Sequence, residues 1–154
     1  MRAALIAALA ALPLAFPVAA GADAIDDAIK ARQAFFTLLG ANTGALAAMA
    51  KGEVEYNADA AVLHAGNLGL LQGYQLLPHF PEGSSKEDRK GKTRALPEIW
   101  TDLAGFEEKF EVFQAAVAVM EVEAGKGRAE LGGALQRLGG SCKGCHDDYR
   151  AKDF

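Results

Sequence analysis

The chain has 154 residues, 51% of them hydrophobic and 23% charged, with a formal net charge of −4 and two cysteines. That length suits one domain and is short for two. The acidic balance, and the lack of any stretch that concentrates Lys and Arg among aromatics, excludes a phosphate-tracking nucleic-acid groove.

Met1 and Arg2 form a short basic head, Ala3 to Val18 an apolar run broken by Pro13 and Pro17, and Val18-Ala19-Ala20 a small-residue cleavage site. This reads as a secretory signal peptide over residues 1–20, with Ala20-Gly21-Ala22 allowing a cut after 22 instead. A membrane anchor would need about 20 uninterrupted apolar residues, which the two prolines deny. Losing Arg2 takes the formal charge of the remaining domain, residues 23–154, to −5.

Beyond the leader, Ala and Leu dominate, and no useful period-two alternation predicts strands. A first helix is predicted from about Asp23 to Ala50, with Ile25, Ile29, Arg32, Phe36, Leu39, Leu46 and Met49 near one stripe and Gly52 as its stop. A second runs from an Asn57 or Asp59 cap to Leu77, where Pro78 ends it; its inward stripe is read as Leu63, Asn67, Leu70, Tyr74 and Leu77. A Pro/Gly/Ser loop follows from Pro78 to Lys92. The basic cluster Lys86 to Arg94, mixed with Glu87 and Asp88, reads as solvated.

The third helix starts near Pro97. Ile99, Leu103, Phe106, Phe110, Val112 or Phe113, Val117 and Met120 step by fours and threes to the Gly125–Gly127 stop. In the fourth, Leu131, Leu135, Leu138, Cys142, Cys145 and Tyr149 continue the same alternation, so both cysteines face inward. Four such helices joined by two short links and one long loop predict an all-α, antiparallel four-helix bundle.

Cys142, Cys145 and His146 form a C-x-x-C-H site near the end of the last helix. Haem attachment needs two thiols placed to add across two vinyl groups, with an imidazole beside the second that can reach iron. Residues three and four apart share a helix face, so the three groups lie on one surface. A disulfide three residues apart would constrain little of the unfolded chain. A redox C-x-x-C belongs at a helix start after a strand. A zinc site would need a fourth ligand, and His64 and His79 lack paired spacing. One covalent haem c is the cofactor expected.

The segments Leu138 to Arg150, Ala31 to Gly40 and Pro97-Glu-Ile-Trp100, together spanning the domain, resemble the cytochrome c′ family, the four-helix class of c-type cytochromes. The resemblance implies that Arg32 and Gln33 meet the haem propionates, with Thr93 and Arg94 as a further propionate-side contact. For Arg32 the residues agree, because a lone cation on an apolar stripe wants an anionic partner. It also implies that Arg150, four residues after His146, flanks the imidazole; the plainer reading is a helix-end cation favoured by the dipole. Phe80 and Trp100 match packing positions near the haem edge. Asp147 and Asp148 read as solvated. Many relatives pair through their first two helices, so a homodimer is a further expectation.

Low-spin relatives supply a Met ligand four residues after that Arg, where this chain has Phe36. Met49 and Met120 sit on packing stripes and His64 is a lone helical histidine. The expectation is five-coordinate, high-spin iron held by His146 and capped by Phe36, with no hydrogen-bond donor for dioxygen. Such a site suits nitric oxide and carbon monoxide, with Phe36 as a steric gate, in a periplasmic protein that is not an enzyme. The competing reading is a periplasmic electron carrier with redox partner proteins, which a filled sixth position would favour. A peroxidase would want a distal His and Arg pair that the first helix lacks.

Overall fold

A computed structural model describes residues 19–154; the leader expected over residues 1–20 lies outside them except at Ala19 and Ala20, which head the first helix. Among the described residues there are five α-helices and no strand beyond an isolated bridge between Ala95 and Arg150. They are α1 (Ala19–Lys51), α2 (Ala58–Gln72), α3 (Glu98–Thr101), α4 (Leu103–Glu123) and α5 (Arg128–Tyr149). A 3-10 turn, Leu77–His79, follows α2. The long helices form a ring in which α1 packs on α2 and α5, and α4 on the same two. None is long and apolar enough to cross a membrane.

In α1 the buried positions are Ile29, Arg32, Phe35, Leu39, Leu46 and Met49, the three-and-four spacing of one face. Gly52 ends the helix at φ +75°, where a side chain would be strained and its Cβ would stand 2.8 Å from the Arg128 guanidinium. Arg128 itself donates to the Met49 carbonyl, one of the acceptors the helix end leaves open.

The second helix departs from expectation in length and in face. It is capped by Asn57, whose side chain accepts from the Ala60 amide, but it stops at Gln72 rather than Leu77. Its inward residues are Ala61, Ala65 and Leu68, whereas Leu63 and Leu70 are 62% and 79% exposed. Small residues let α2 approach α4 closely, so the leucines point outward; a Cβ on Gly69 would lie 2.0 Å from Glu121 Oε1.

The third predicted helix is two. The Asp102 backbone leaves helical geometry (φ −134°, ψ 57°), and its side chain accepts from the Gly105 amide to start α4 afresh. Leu103 and Val112 are exposed, and Phe113 takes the inward place.

Two apolar clusters result. The main one runs along the bundle through Leu46, Leu68, Val117, Met120, Leu131 and Leu138. The second, of Ala95, Ile99, Phe106 and Tyr149 with Phe80 and Trp100 against it, closes the end near the loop. Phe80 and Trp100 therefore pack as expected, the indole N–H donating to the Phe80 carbonyl.

Candidate functional site

Between the two clusters lies a cavity of about 920 Å³ bounded by α1, α4, α5 and the 93–95 segment. Arg32, Gln33, Phe36, Arg94, Cys142, Cys145, His146 and Arg150 all line it. Its volume is at the upper end of the range for sites that enclose a cofactor.

The α5 wall carries the sulfur and nitrogen groups. Cys142 and Cys145 are half-buried, free of a disulfide, and one turn apart. Burial raises both thiols, Cys145 to about 11, so each stays protonated and uncharged at neutral pH. His146 opens onto the cavity; the burial it does have, and then the Arg94 charge, lower its pKa below the usual value. The neutral imidazole, the form that can donate a lone pair to a metal, is thereby favoured. Among the described residues no group of three His, Cys, Asp or Glu side chains converges to hold a metal.

Arg32 faces them from α1 and is only 3% exposed. Its Nη1 donates to Ser84 Oγ (2.8 Å) and the His79 carbonyl (3.1 Å), and its Nη2 to the Ser84 carbonyl (2.7 Å) and Thr93 Oγ1 (2.8 Å). The guanidinium lies 4.5 Å over the Phe80 ring. Every one of these partners is neutral, and burial alone pulls its pKa down to about 10, so it remains a cation at neutral pH. A buried charge without a counterion is costly. The cavity it borders is where a dianionic ligand edge would supply one.

The basic cluster Lys86 to Arg94 leaves Glu87, Asp88, Lys90 and Lys92 exposed, but the loop that carries it is anchored beneath them. Ser84 and Thr93 are buried where their oxygens accept from the guanidinium, and Ser85 is buried with its hydroxyl donating to Asp88 Oδ2 (2.6 Å). Gln33 adds a bond from Nε2 to the Lys92 carbonyl (2.7 Å). Arg94 donates to the Lys152 carbonyl (3.3 Å) and lies over the Phe154 ring. Arg150 has no side-chain partner among the described residues; its amide donates to the His146 carbonyl (3.2 Å). Asp147 and Asp148 stay outside, paired with Lys143 and Lys109.

Opposite α5, the α1 wall is Phe36, Leu39, Gly40, Thr43, Gly44 and Ala47. Phe36 is 43% exposed, turned into the cavity, while its neighbour Phe35 takes the core position and meets it edge-on at 5.2 Å. Thr37 returns its hydroxyl to the Gln33 carbonyl, whereas the Thr43 hydroxyl is buried without a partner, a polar atom that the expected all-apolar wall did not include. Met49 and Met120 are in the bundle core, and His64 bonds to Asn42 between α1 and α2; none of the three lines the cavity.

Thiol pair, imidazole, uncompensated buried arginine and enclosing volume together define a four-helix haem protein of the c type. The chain belongs to the cytochrome c′ family: the family profile described as Cytochrome C' matches residues 27–150. It is 44% identical to the cytochrome c' of Cereibacter sphaeroides over 144 residues, 94% of this chain and 96% of the relative. The solved cytochrome c' of Rhodobacter sphaeroides superposes with a TM-score of 0.80 at 44% identity, covering 83% of this chain and 98% of that one. A nitric oxide complex of a variant cytochrome c prime from Alcaligenes xylosoxidans superposes at 0.72 with 31% identity, covering 83% and 97%. The cofactor of the family is a covalently attached haem c, and the residues of this cavity fit it.

Proposed function

We propose that this chain is a periplasmic haem protein that binds nitric oxide and carbon monoxide on a five-coordinate iron. When bound, the haem supplies an iron that takes small gases on an open axial position. Cys142 and Cys145 hold it through thioethers, and His146 supplies the axial imidazole. Arg32 and Gln33 meet the propionates, Arg94 stands beside them, and Arg150 flanks the imidazole. Phe36 covers the opposite face and restricts access by its bulk.

One observation carries this reading: the α1 wall opposite α5 presents Phe36, Leu39, Thr43 and the small residues Gly40, Gly44 and Ala47, and no Met, His, Cys or Lys side chain of α1. Absorption and resonance Raman spectra of the ferrous protein should show high-spin, five-coordinate iron, and rapid mixing with nitric oxide should give direct binding. A six-coordinate ferrous spectrum without added ligand overturns the proposal.

A second reading, electron transfer, draws on the cavity's rim. Arg94, Lys109 and Arg150 border it beside Arg32 and no acid does, in an otherwise acidic chain, so an anionic partner could approach the haem edge. Coordination number separates the two functions. Export rests on the leader, whose removal after residue 20 or 22 trims the head of α1.

Pairing with a second copy draws on Leu63 and Leu70, seven residues apart on one face of α2 and left to solvent. Sedimentation should show a dimer that Leu70→Glu weakens; an unchanged monomer overturns that part of the proposal.

A further inference from the structure

The break between α3 and α4 falls inside the apolar four-and-three steps of the sequence and turns the Leu103 step out to solvent, leaving Ile99 and Phe106 buried on either side. It is explained by what Asp102 touches. Its Oδ1 accepts from the Gly105 amide (3.2 Å), and its Oδ2 accepts from the Tyr149 hydroxyl (2.7 Å), 47 positions along the chain. Gly105 makes room for both: a Cβ there would stand 2.3 Å from Asp102 Oδ2 and 2.6 Å from the Tyr149 hydroxyl.

Tyr149 is the last residue of α5, three after His146, and it lines the same cavity. Its ring is 5% exposed and meets Phe106 edge-on at 5.3 Å. Its carbonyl accepts from the Leu96 amide (3.0 Å), and the Ala151 amide donates to the Arg94 carbonyl (2.9 Å). A helix end otherwise frays, and a side chain within its last turn inherits that looseness. Phenylalanine would fill the apolar space as well as tyrosine does; the hydroxyl is accounted for only by the bond it makes.

We propose that Asp102, Gly105 and Tyr149 form a latch that ties the last turn of α5 to the start of α4 and so fixes the orientation of the His146 imidazole toward the iron. Tyr149 is a positioning residue: it acts through the backbone of its own helix turn. The latch limits how far His146 can tilt or withdraw when a ligand binds the opposite face. This rests on the reading of His146 as the axial ligand.

The test uses the haem-loaded protein with Tyr149→Phe, which keeps the ring contact and deletes the bond, Gly105→Ala, which forces the acceptor away, and Asp102→Asn, whose Oδ1 still accepts from the Gly105 amide and whose Nδ2 donates to the Tyr149 hydroxyl oxygen, keeping the tie with that bond reversed. Amide exchange at Tyr149 and Arg150 should rise about tenfold in the first two, as for the loss of one bond to a charged acceptor. The ferrous iron–histidine stretch should broaden and move in both and keep its wild-type position in Asp102→Asn. A band that is present but unmoved in Tyr149→Phe and Gly105→Ala, whatever the exchange rates, overturns the latch. A wild-type protein with no iron–histidine band overturns the ligand assignment beneath it.

Discussion

On the proposed five-coordinate, high-spin iron, Phe36→Met should give a six-coordinate, low-spin ferrous protein in which the new thioether joins His146 as a second ligand. Phe36 already projects from α1 into the cavity, and methionine is flexible and of similar reach. Low-spin relatives resembling this chain place their Met ligand at this point of the first helix. Gas binding would then wait on the thioether leaving: if it holds the iron nine-tenths of the time, apparent affinity falls about tenfold. Phe36→Ala should act the other way, with faster carbon monoxide binding and coordination unchanged. Absorption spectra and flash photolysis of the two variants read both effects. A Phe36→Met protein that stays high-spin would show that residue 36 does not face the iron.

Arg32→Ala should destabilise the protein strongly and unfasten the loop that borders the cavity. It removes donors from Ser84 Oγ, Thr93 Oγ1 and the carbonyls of Ser84 and His79, and it removes the stack on Phe80. Hydrogen bonds to a charged donor contribute about 1.5–3 kcal/mol each, and stranded buried acceptors add to the loss. Part of that is offset because a buried cation is no longer held without a counterion. We expect a net destabilisation of about 3 kcal/mol in denaturant titrations, with the 84–93 loop released and the haem edge more open to solvent. Arg32→Lys should recover only part of this, because one ammonium cannot span the fork of acceptors. A loss under about 0.5 kcal/mol would mean the loop is held by its own turns.

The parts of the site that the sequence disclosed are those whose chemistry is local. C-x-x-C-H places its three groups on one face by helix spacing alone, and a cation in the stripe of α1 is conspicuous wherever its partner lies. What stayed hidden depends on contacts distant in sequence. Nothing near Ser84 or Thr93 in the sequence shows that a guanidinium 52 and 61 positions earlier will claim them. The apolar steps from Ile99 to Met120 ignore the break at Asp102, since the reason for it is a hydroxyl at the end of another helix. In α2 the pattern was present twice: one stripe of leucines and one of alanines with Gly69. The larger side chains drew the reading, although the smaller ones decide how closely two helices can approach.

The division of the apolar interior into two clusters also bears on biogenesis. The bundle cluster contains residues of all four long helices, and its members Leu46, Leu68, Val117, Met120 and Leu131 lie away from the cavity, so their packing does not depend on the cofactor. The socket of about 920 Å³ is walled from both clusters, by Phe113 of the first and by Phe106 and Tyr149 of the second, and is far larger than a gap that close-packed side chains leave among themselves. Haem attachment therefore acts on a scaffold whose bundle half packs on its own side chains and whose two thiols line the socket. Cofactor insertion would give this end the apolar filling that side chains alone give the rest of the bundle.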